Sequence, residues 1–543
     1  MKLKHIFFIV VFLIAAAGVF AAPGNLDPTF NGNGVVRSNI FYSGTGAVEF
    51  RTLAIQPDGK ILAVGYVDAG ANSIDSHSIV LRCNADGTID TTFGTNGRAD
   101  LYYPDYPIRG RVASAMELQP DGKIVLAITE RPTTEPAWLC GATRLNADGS
   151  VDTGFGVNGL VSTPTPGNWC YVKNIKVQND GKIVVGGTAF DQSIGTAHLA
   201  VIRYDANGVA DTTFGANGLM FDPRGSYQDL HDVLLQPDQK IIVTGGTLVE
   251  GADQLVARYN ADGTRDTTFG SDGLFAFPGQ NNLAGNRSAA LQPDGRIIVA
   301  GAILGSGAHG PGFYMNRVNP NGTLDTTFGA NGYVVTQEVD RKVRESTAIV
   351  LQPDGKIIIG GSMLYDIDSP NHYADFSTGR YSADGVLEQN TSGKFMRRGE
   401  SILSSAWGDN GITRTHFTDN VFARITDMKL DAAGRLLVYG YNNGEMVMAR
   451  YQSDAPPYAG ITGRLTTAGG VPIKNISVVL SEGGLPEPRY ALTNQFGYYT
   501  FSGLPVTENY SVSISSKRFA FSEPQQHLML NHDELSVDFT AEP

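Results

Sequence analysis

Leu26-Asp27-Pro28-Thr29-Phe30-Asn31-Gly32-Asn33-Gly34 is the first of seven copies of one signature. It returns as Asp90-Thr91-Thr92-Phe93-Gly94-Thr95-Asn96-Gly97, then from Asp152, Asp211, Asp266 and Asp325, with a worn last copy at Ala406-Trp407-Gly408-Asp409-Asn410-Gly411. A second signature follows each copy: Gln56-Pro57-Asp58-Gly59-Lys60, then Gln119 to Lys123, Gln178 to Lys182, Gln236 to Lys240, Gln292 to Arg296, Gln352 to Lys356, and the degenerate Asp431-Ala432-Ala433-Gly434-Arg435. A third mark is an arginine at 82, 144, 203, 258, 317, 380 and 450, usually followed by a short Asn-x-Asp-Gly turn. Three marks that recur in one order, about 60 residues apart, make this a repeat architecture in which the repeated residues are scaffold.

Each unit reads as four short strands. One follows the F-G-x-N-G turn, as in Gly332-Tyr333-Val334-Val335; a second ends at Pro-Asp-Gly, as in Thr52-Leu53-Ala54-Ile55; a third leaves it, as in Lys182-Ile183-Val184-Val185; the fourth carries the arginine, as in Leu199-Ala200-Val201-Ile202-Arg203. Pro-Asp-Gly between two β-branched runs is a hairpin signal, since proline presets φ and glycine accepts positive φ. Helical periodicity is nearly absent. Seven such units predict an all-β fold, a seven-bladed β-propeller whose radial repetition leaves no long open sheet edge. A β-solenoid is the alternative, with coils usually shorter than these units. Residues 1–22 read as a leader, 23–452 as the propeller, 453–459 as a linker containing Pro456-Pro457, and 460–543 as a second domain.

The L-D-x-T-F-G-x-N-G and Q-P-D-G-K-I signatures resemble the delta-60 repeat family over roughly 24–452. That resemblance implies an exported bacterial protein built on a repeat scaffold, and it brings no catalytic residues with it. After residue 460 the pattern changes to period-two strands, such as Ile476-Ser477-Val478-Val479-Leu480 and Gly497-Tyr498-Tyr499-Thr500-Phe501. This segment resembles the carboxypeptidase regulatory-like domain, which implies a small non-catalytic transthyretin-like β-sandwich serving as stalk, spacer or adhesive module. The Tyr510–Ser515 strand carries no acid that would support a Lys–Asn isopeptide bond.

The formal net charge is −13, and no Lys/Arg cluster follows the first four residues, which argues against a nucleic-acid partner. Met1-Lys2-Leu3-Lys4 followed by an apolar Ile6 to Phe20 run reads as a secretory signal cleaved near Ala21 or Ala22. No later segment is apolar enough to span a membrane, so the expected location is secreted or cell-surface. Of three cysteines, Cys140 and Cys170 lie on neighbouring elements of consecutive repeats; they pair or remain buried thiols.

For chemistry, the Asn84–Asp90 turn and its repeats space oxygen ligands that could hold Ca²⁺, but its Gly comes too early for an EF-hand and no bidentate Glu follows. Turn formation is the simpler use of these residues, so no cofactor is expected. The repeated arginine is expected to pair with Asp or carbonyls of its own or the adjacent blade. Asp100 and Asp105 near Arg109 and Arg111, and the Asp366, Asp368, His372, Asp375 group, lack the spacing of a catalytic or metal motif.

Function should sit where the units differ. The Pro-Asp-Gly and Asn-x-Asp-Gly turns barely vary, whereas the other two connections do, and alternating strands put those on one face. Its aromatics and histidines include Phe41, Tyr42, Tyr171, His309 and Tyr365, and the candidate ligand-binding set is Tyr102, Tyr103, Tyr106, Trp138, Trp169, Tyr227, His372 and Tyr373. Loops on a rigid scaffold are where binding concentrates, and exposed aromatics suit sugars or protein partners. The expectation is an exported, non-catalytic scaffold for extracellular protein or polysaccharide. A purely structural surface protein and a polysaccharide hydrolase or lyase are the alternatives.

Overall fold

The computed structural model describes residues 23–38, 47–68, 77–101, 108–132, 137–191, 195–223, 228–247, 254–277, 283–303, 312–337, 342–365, 373–388, 412–415, 423–442, 445–452, 458–482, 488–494, 496–505, 508–530 and 535–542. Every regular element among them is a β-strand. Ala47–Ile55, Ile61–Asp68, His77–Cys83 and Arg98–Asp100 pair antiparallel in that order and form blade 1. Blade 2 is Ile108–Leu118, Ile124–Pro132, Leu139–Leu145 and Leu160–Thr163. Blade 3 is Asn168–Val177, Ile183–Asp191, Thr196–Tyr204 and Leu219–Asp222. The same four-stranded sheet recurs over 228–276, 283–337 and 342–415 as blades 4 to 6. Blade 7 joins Ala423–Leu430, Leu436–Asn442 and Glu445–Tyr451 to Val35–Ser38 from the start of the chain.

The blade is therefore offset from the sequence unit by one strand. The strand after F-G-x-N-G, expected to open a new blade, is the outer strand of the preceding one. The reason is local: Asp90 N donates to Arg82 O at 2.9 Å and Arg82 N donates to Gly97 O at 2.9 Å, so the turn folds the chain back onto the arginine strand. Applied to the first unit, this offset leaves Val35–Ser38 without a sheet of its own, and it closes the ring against Glu445–Tyr451.

Neighbouring blades meet through apolar faces. Val64 and Val80 of blade 1 pack with Ala113, Met116, Leu126 and Ile128 of blade 2. The middle strands are buried on both faces, which explains their near-continuous Ile/Val/Leu runs. Each innermost strand carries a β-bulge at one repeat position, between Phe50 and Thr52 in blade 1 and between Ile425 and Asp427 in blade 7. A bulge breaks the hydrogen-bond ladder. In three blades the N–H there donates to a hydroxyl of the preceding blade: Ala113 to Ser78, Val172 to Thr129 and Leu230 to Thr188, at 2.8–3.0 Å.

The repeated arginine ties blades together. Arg82 donates Nε to Asp90 at 2.8 Å and Nη1 to the Ala147 carbonyl of the next unit at 2.7 Å, with its guanidinium 4.6 Å from the Phe93 ring centre. Arg144, Arg203, Arg258 and Arg317 repeat this with Asp152, Asp211, Asp266 and Asp325, and with carbonyls one unit on. The Asn-x-Asp-Gly glycine then lies on the phenylalanine of the unit before: a Cβ on Gly149 would stand 2.9 Å from the Phe93 ring, and its φ is +91°. Only glycine meets both demands. Arg380 uses Glu388 in place of Asp, and twenty-four residues run from Glu388 to Gly411 where eight run from Asp325 to Gly332. The worn copy at 406–411 lies outside the described residues.

In the C-terminal domain, Tyr458–Thr467 pairs with Tyr498–Pro505, Leu535–Ser536 and Phe539–Ala541. A second sheet orders Arg489–Leu492, Ser477–Glu482, Glu508–Ile514 and Gln525–Leu530. Ile461, Leu465, Leu480, Phe501, Tyr510 and Val512 fill the core between them, as a β-sandwich requires.

Two expectations follow. Arg450 closes the ring by donating to Asp27 at 2.8 Å and to Ala85 O at 2.6 Å. Asp27 is fully buried, so Asp27→Ala strands a buried guanidinium and should cost about 3–5 kcal/mol in urea unfolding; a loss under 1 kcal/mol would contradict the closure. The latch carboxylates also set acid stability. The Thr92 hydrogen bond, with burial opposing and Lys60 and Arg82 beside it, holds Asp90 well below the ordinary carboxylate range. Burial opposes the shift at Asp211 and Asp266, but Thr213 with Lys182 and Thr268 with Lys240, each beside its arginine, hold these low too. A carboxylate depressed in the folded state adds stability above the unfolded value of about 3.9, and that stability is lost as pH falls through the folded value. The urea midpoint should hold between about pH 7 and 5 as far as these groups contribute, then drop below about pH 4, less steeply in Asp90→Asn.

Candidate functional site

The hairpin turns Gln56–Lys60 and their repeats share one end of the blades with the Asn-x-Asp-Gly turns, so the variable connections lie at the other end. There, blades 2 and 3 are joined beyond their apolar seam. Trp138 N donates to Asn168 O at 2.8 Å and Cys170 N donates to Trp138 O at 2.9 Å, a parallel bridge between the blades. Cys140 and Cys170 form a disulfide across the same seam, with Cα atoms 5.3 Å apart. Gly187 permits this: a Cβ there would lie 2.7 Å from Tyr171 O and 3.0 Å from the Cys140 sulfur.

On this braced junction stand three half-buried aromatics. Trp138 and Trp169 stack with ring centres 5.4 Å apart and planes 21° apart, and Tyr171 lies 5.0 Å from Trp138 and 6.3 Å from Trp169. Burial raises the Tyr171 phenol above its ordinary value, with the Arg131 charge opposing. Neither tryptophan belongs to the apolar cluster below them, which contains Cys140, Cys170 and Val172. They pack on each other and leave outer surface to solvent. The Arg131 guanidinium lies 5.5 Å from the Trp138 ring centre. Its neighbour Glu130 is buried and accepts a short hydrogen bond from the Ser162 hydroxyl.

Nearer the axis, the seven innermost strands contact one another in a closed ring. Lys176 lies 3.4 Å from Glu117, and Lys429 lies 2.9 Å from Asp427. Glu117 above all, then Asp232 and Asp427 against the effect of burial, raise the Lys176 ammonium pKa. Asp232 accepts from Asn174 at 2.6 Å and from Ala289 N at 2.9 Å, and Asp427 from Thr52 at 2.8 Å and Leu53 N at 3.0 Å. Burial raises the Asp232 carboxyl, with Lys176 opposing. These charges tie innermost strands to each other. On the opposite end, a cavity of about 350 Å³ is lined by Gln119, Lys123, Gln178, Asn207, Leu492 and Phe496; Lys123 there is engaged with Asp152 at 2.9 Å.

Of the sequence candidates, Trp138 and Trp169 are brought together. Tyr102, Tyr103, Tyr106, Tyr227 and His372 lie outside the described residues, and Tyr373 opens the Tyr373–Tyr381 strand opposite Tyr365. Asp100 pairs with Arg98 at 2.5 Å and His77 at 3.0 Å; Asp105, Asp366 and Asp368 lie outside the described residues, and Asp375 is buried. In the Asn84–Asp90 turn, Asp86 accepts from Thr88 N and Oγ1 at 3.0 and 2.7 Å, and Asp90 accepts from Thr92 and Arg82, so those oxygens already have protein donors. Among the described residues no three His, Cys, Asp or Glu side chains are grouped to hold a metal. Arg131 and the axial charges were not singled out from sequence. Asp232 and Asp427 share one repeat position with Thr52, Ala115, Asn174, Ser288 and Ala348, so a position that varies inside otherwise uniform strands was the available signal.

The fold and its repeats define an all-β propeller joined to a β-sandwich. Residues 56–93, 178–214, 236–269, 292–328 and 352–388 match the family described as Domain of unknown function (DUF5122) beta-propeller, five repeats in all. Residues 460–542 match the carboxypeptidase regulatory-like domain. No curated protein matches the chain. Similar solved structures include a protein of unknown function from Dyadobacter fermentans (12 % identity, 61 % of this chain and 95 % of that one, TM-score 0.37). Others are the α-L-arabinofuranosidase Arb93A of Fusarium graminearum (11 %, 64 % and 94 %, TM-score 0.36) and a polysaccharide lyase, an ulvan lyase (10 %, 80 % and 95 %, TM-score 0.39).

The disulfide closes a segment of sequence separation 30. Cys140→Ser with Cys170→Ser should lower unfolding free energy by about 3–4 kcal/mol on loop entropy, and the near-ultraviolet circular dichroism of the tryptophan pair should weaken. An unchanged aromatic signal would show that the blades hold the pair without the bridge.

Proposed function

We propose that this chain is an exported, non-catalytic scaffold that binds extracellular polysaccharide on its variable-loop face, at Trp138, Trp169 and Tyr171. The observation that carries the reading is the stacked tryptophan pair held outside the apolar core by a bridge and a disulfide. Aromatic faces rigid before binding pay little ordering entropy and suit the C–H faces of sugar rings. The disulfide supports an oxidising, extracytoplasmic setting, in keeping with the leader read in the sequence. The C-terminal sandwich serves as the spacer or adhesive module its family resemblance implies.

A glycan array probed with the purified chain, with reducing ends assayed in the same wells, tests this. Saturable binding without new ends is expected, and Trp138→Ala and Trp169→Ala should each weaken it by about 1–2 kcal/mol. New reducing ends would replace the reading with an enzyme, and binding only to a protein partner would replace the ligand class.

A further inference from the structure

Resting on the polysaccharide reading, we infer that the ligand is acidic, a uronate-bearing or sulfate-bearing chain whose anion is taken by Arg131 while its rings lie on Trp138, Trp169 and Tyr171. The repeated latch arginines are engaged. Arg82, Arg144, Arg203, Arg258, Arg317 and Arg450 each bind a carboxylate and a carbonyl. Arg131 has the same capacity, five N–H donors in a planar fork, yet its contact is with the Trp138 ring and no acceptor among the described residues meets it. The nearest carboxylate along the strand, Glu130, is turned inward to Ser162. The ring contact engages none of its N–H donors, and a guanidinium held beside an aromatic face takes a carboxylate or sulfate bidentately.

A second cation lies on the other side of blade 3. Lys173, exposed at the β-bulge between Val172 and Asn174 of the Asn168–Val177 strand, reaches toward blade 4. Its partner Asp229, at 3.5 Å, also accepts from Thr188 at 2.6 Å and stands 3.7 Å from His231. Its charge is thus shared, and Lys173 is only loosely paired. Aromatic faces beside a cation on one braced surface match an acidic sugar chain. The net charge of −13 repels such a chain at long range, so recognition has to come from these close contacts.

The test compares oligogalacturonate with its methyl ester, and dextran sulfate with dextran, by calorimetry on the full chain. Binding of oligogalacturonate or dextran sulfate, with its neutral counterpart at least tenfold weaker, is expected; which acid binds separates carboxylate from sulfate recognition. Arg131→Gln should weaken the acidic ligand about tenfold, and Arg131→Lys should recover part of that. An unchanged melting temperature for both variants shows that folding is not the cause. Neutral and acidic chains binding alike, with Arg131→Gln unchanged, would overturn the acidic ligand and leave the polysaccharide reading standing. No binding to any of the four would remove both.

Discussion

The arginine latch is the contact on which the rest of the propeller depends. One guanidinium satisfies the carboxylate of its own turn, a carbonyl of the next unit and the face of a phenylalanine. Arg82 and Asp90 are both buried. Ion pairs of this kind return little net energy against apolar replacements, and their value lies in geometry: an unpaired partner is costly, so the turn is held in one position. That position seats the glycine of the next unit on the phenylalanine, and so fixes the angle at which one blade follows another. Repeated around the ring, the contact ends with Arg450 on Asp27, joining the two ends of the propeller segment.

The latch acts at the end of the blades where connections are short. At the other end the seam between blades 2 and 3 has a different fastening. A disulfide and a two-bond bridge fix the start of the Asn168–Val177 strand against Trp138. Uniform turns on one face leave the opposite face to vary without disturbing the ring, and the stacked tryptophans use that latitude. Arg131 belongs to the same economy. Its neighbour Glu130 is buried, and Arg131 meets an aromatic ring rather than a carboxylate.

Much of this was legible in the sequence because repetition amplifies weak signals. A single Pro-Asp-Gly is a turn; seven turns of this kind at one period are an architecture. The variable face was legible for the same reason, since unequal connection lengths stand out against equal ones. The pairing of Trp138 with Trp169 was not, because thirty-one positions separate them and nothing in either loop names the other. The substitution of Glu388 for the latch aspartate was also hidden, by the long run before Trp407-Gly408-Asp409-Asn410-Gly411.

By itself the sequence determined the all-β class, the strand grammar of each unit and the change of grammar near residue 460, because turn chemistry and β-branched runs are local properties of the chain. The tertiary structure decided which strand belongs to which blade, that Val35–Ser38 completes the last sheet, that Cys140 and Cys170 pair, and that three aromatics share one surface with an arginine that meets no acceptor among the described residues. Those are contacts between units. A repeat presents the same local signals to every neighbour, so only packing selects among them.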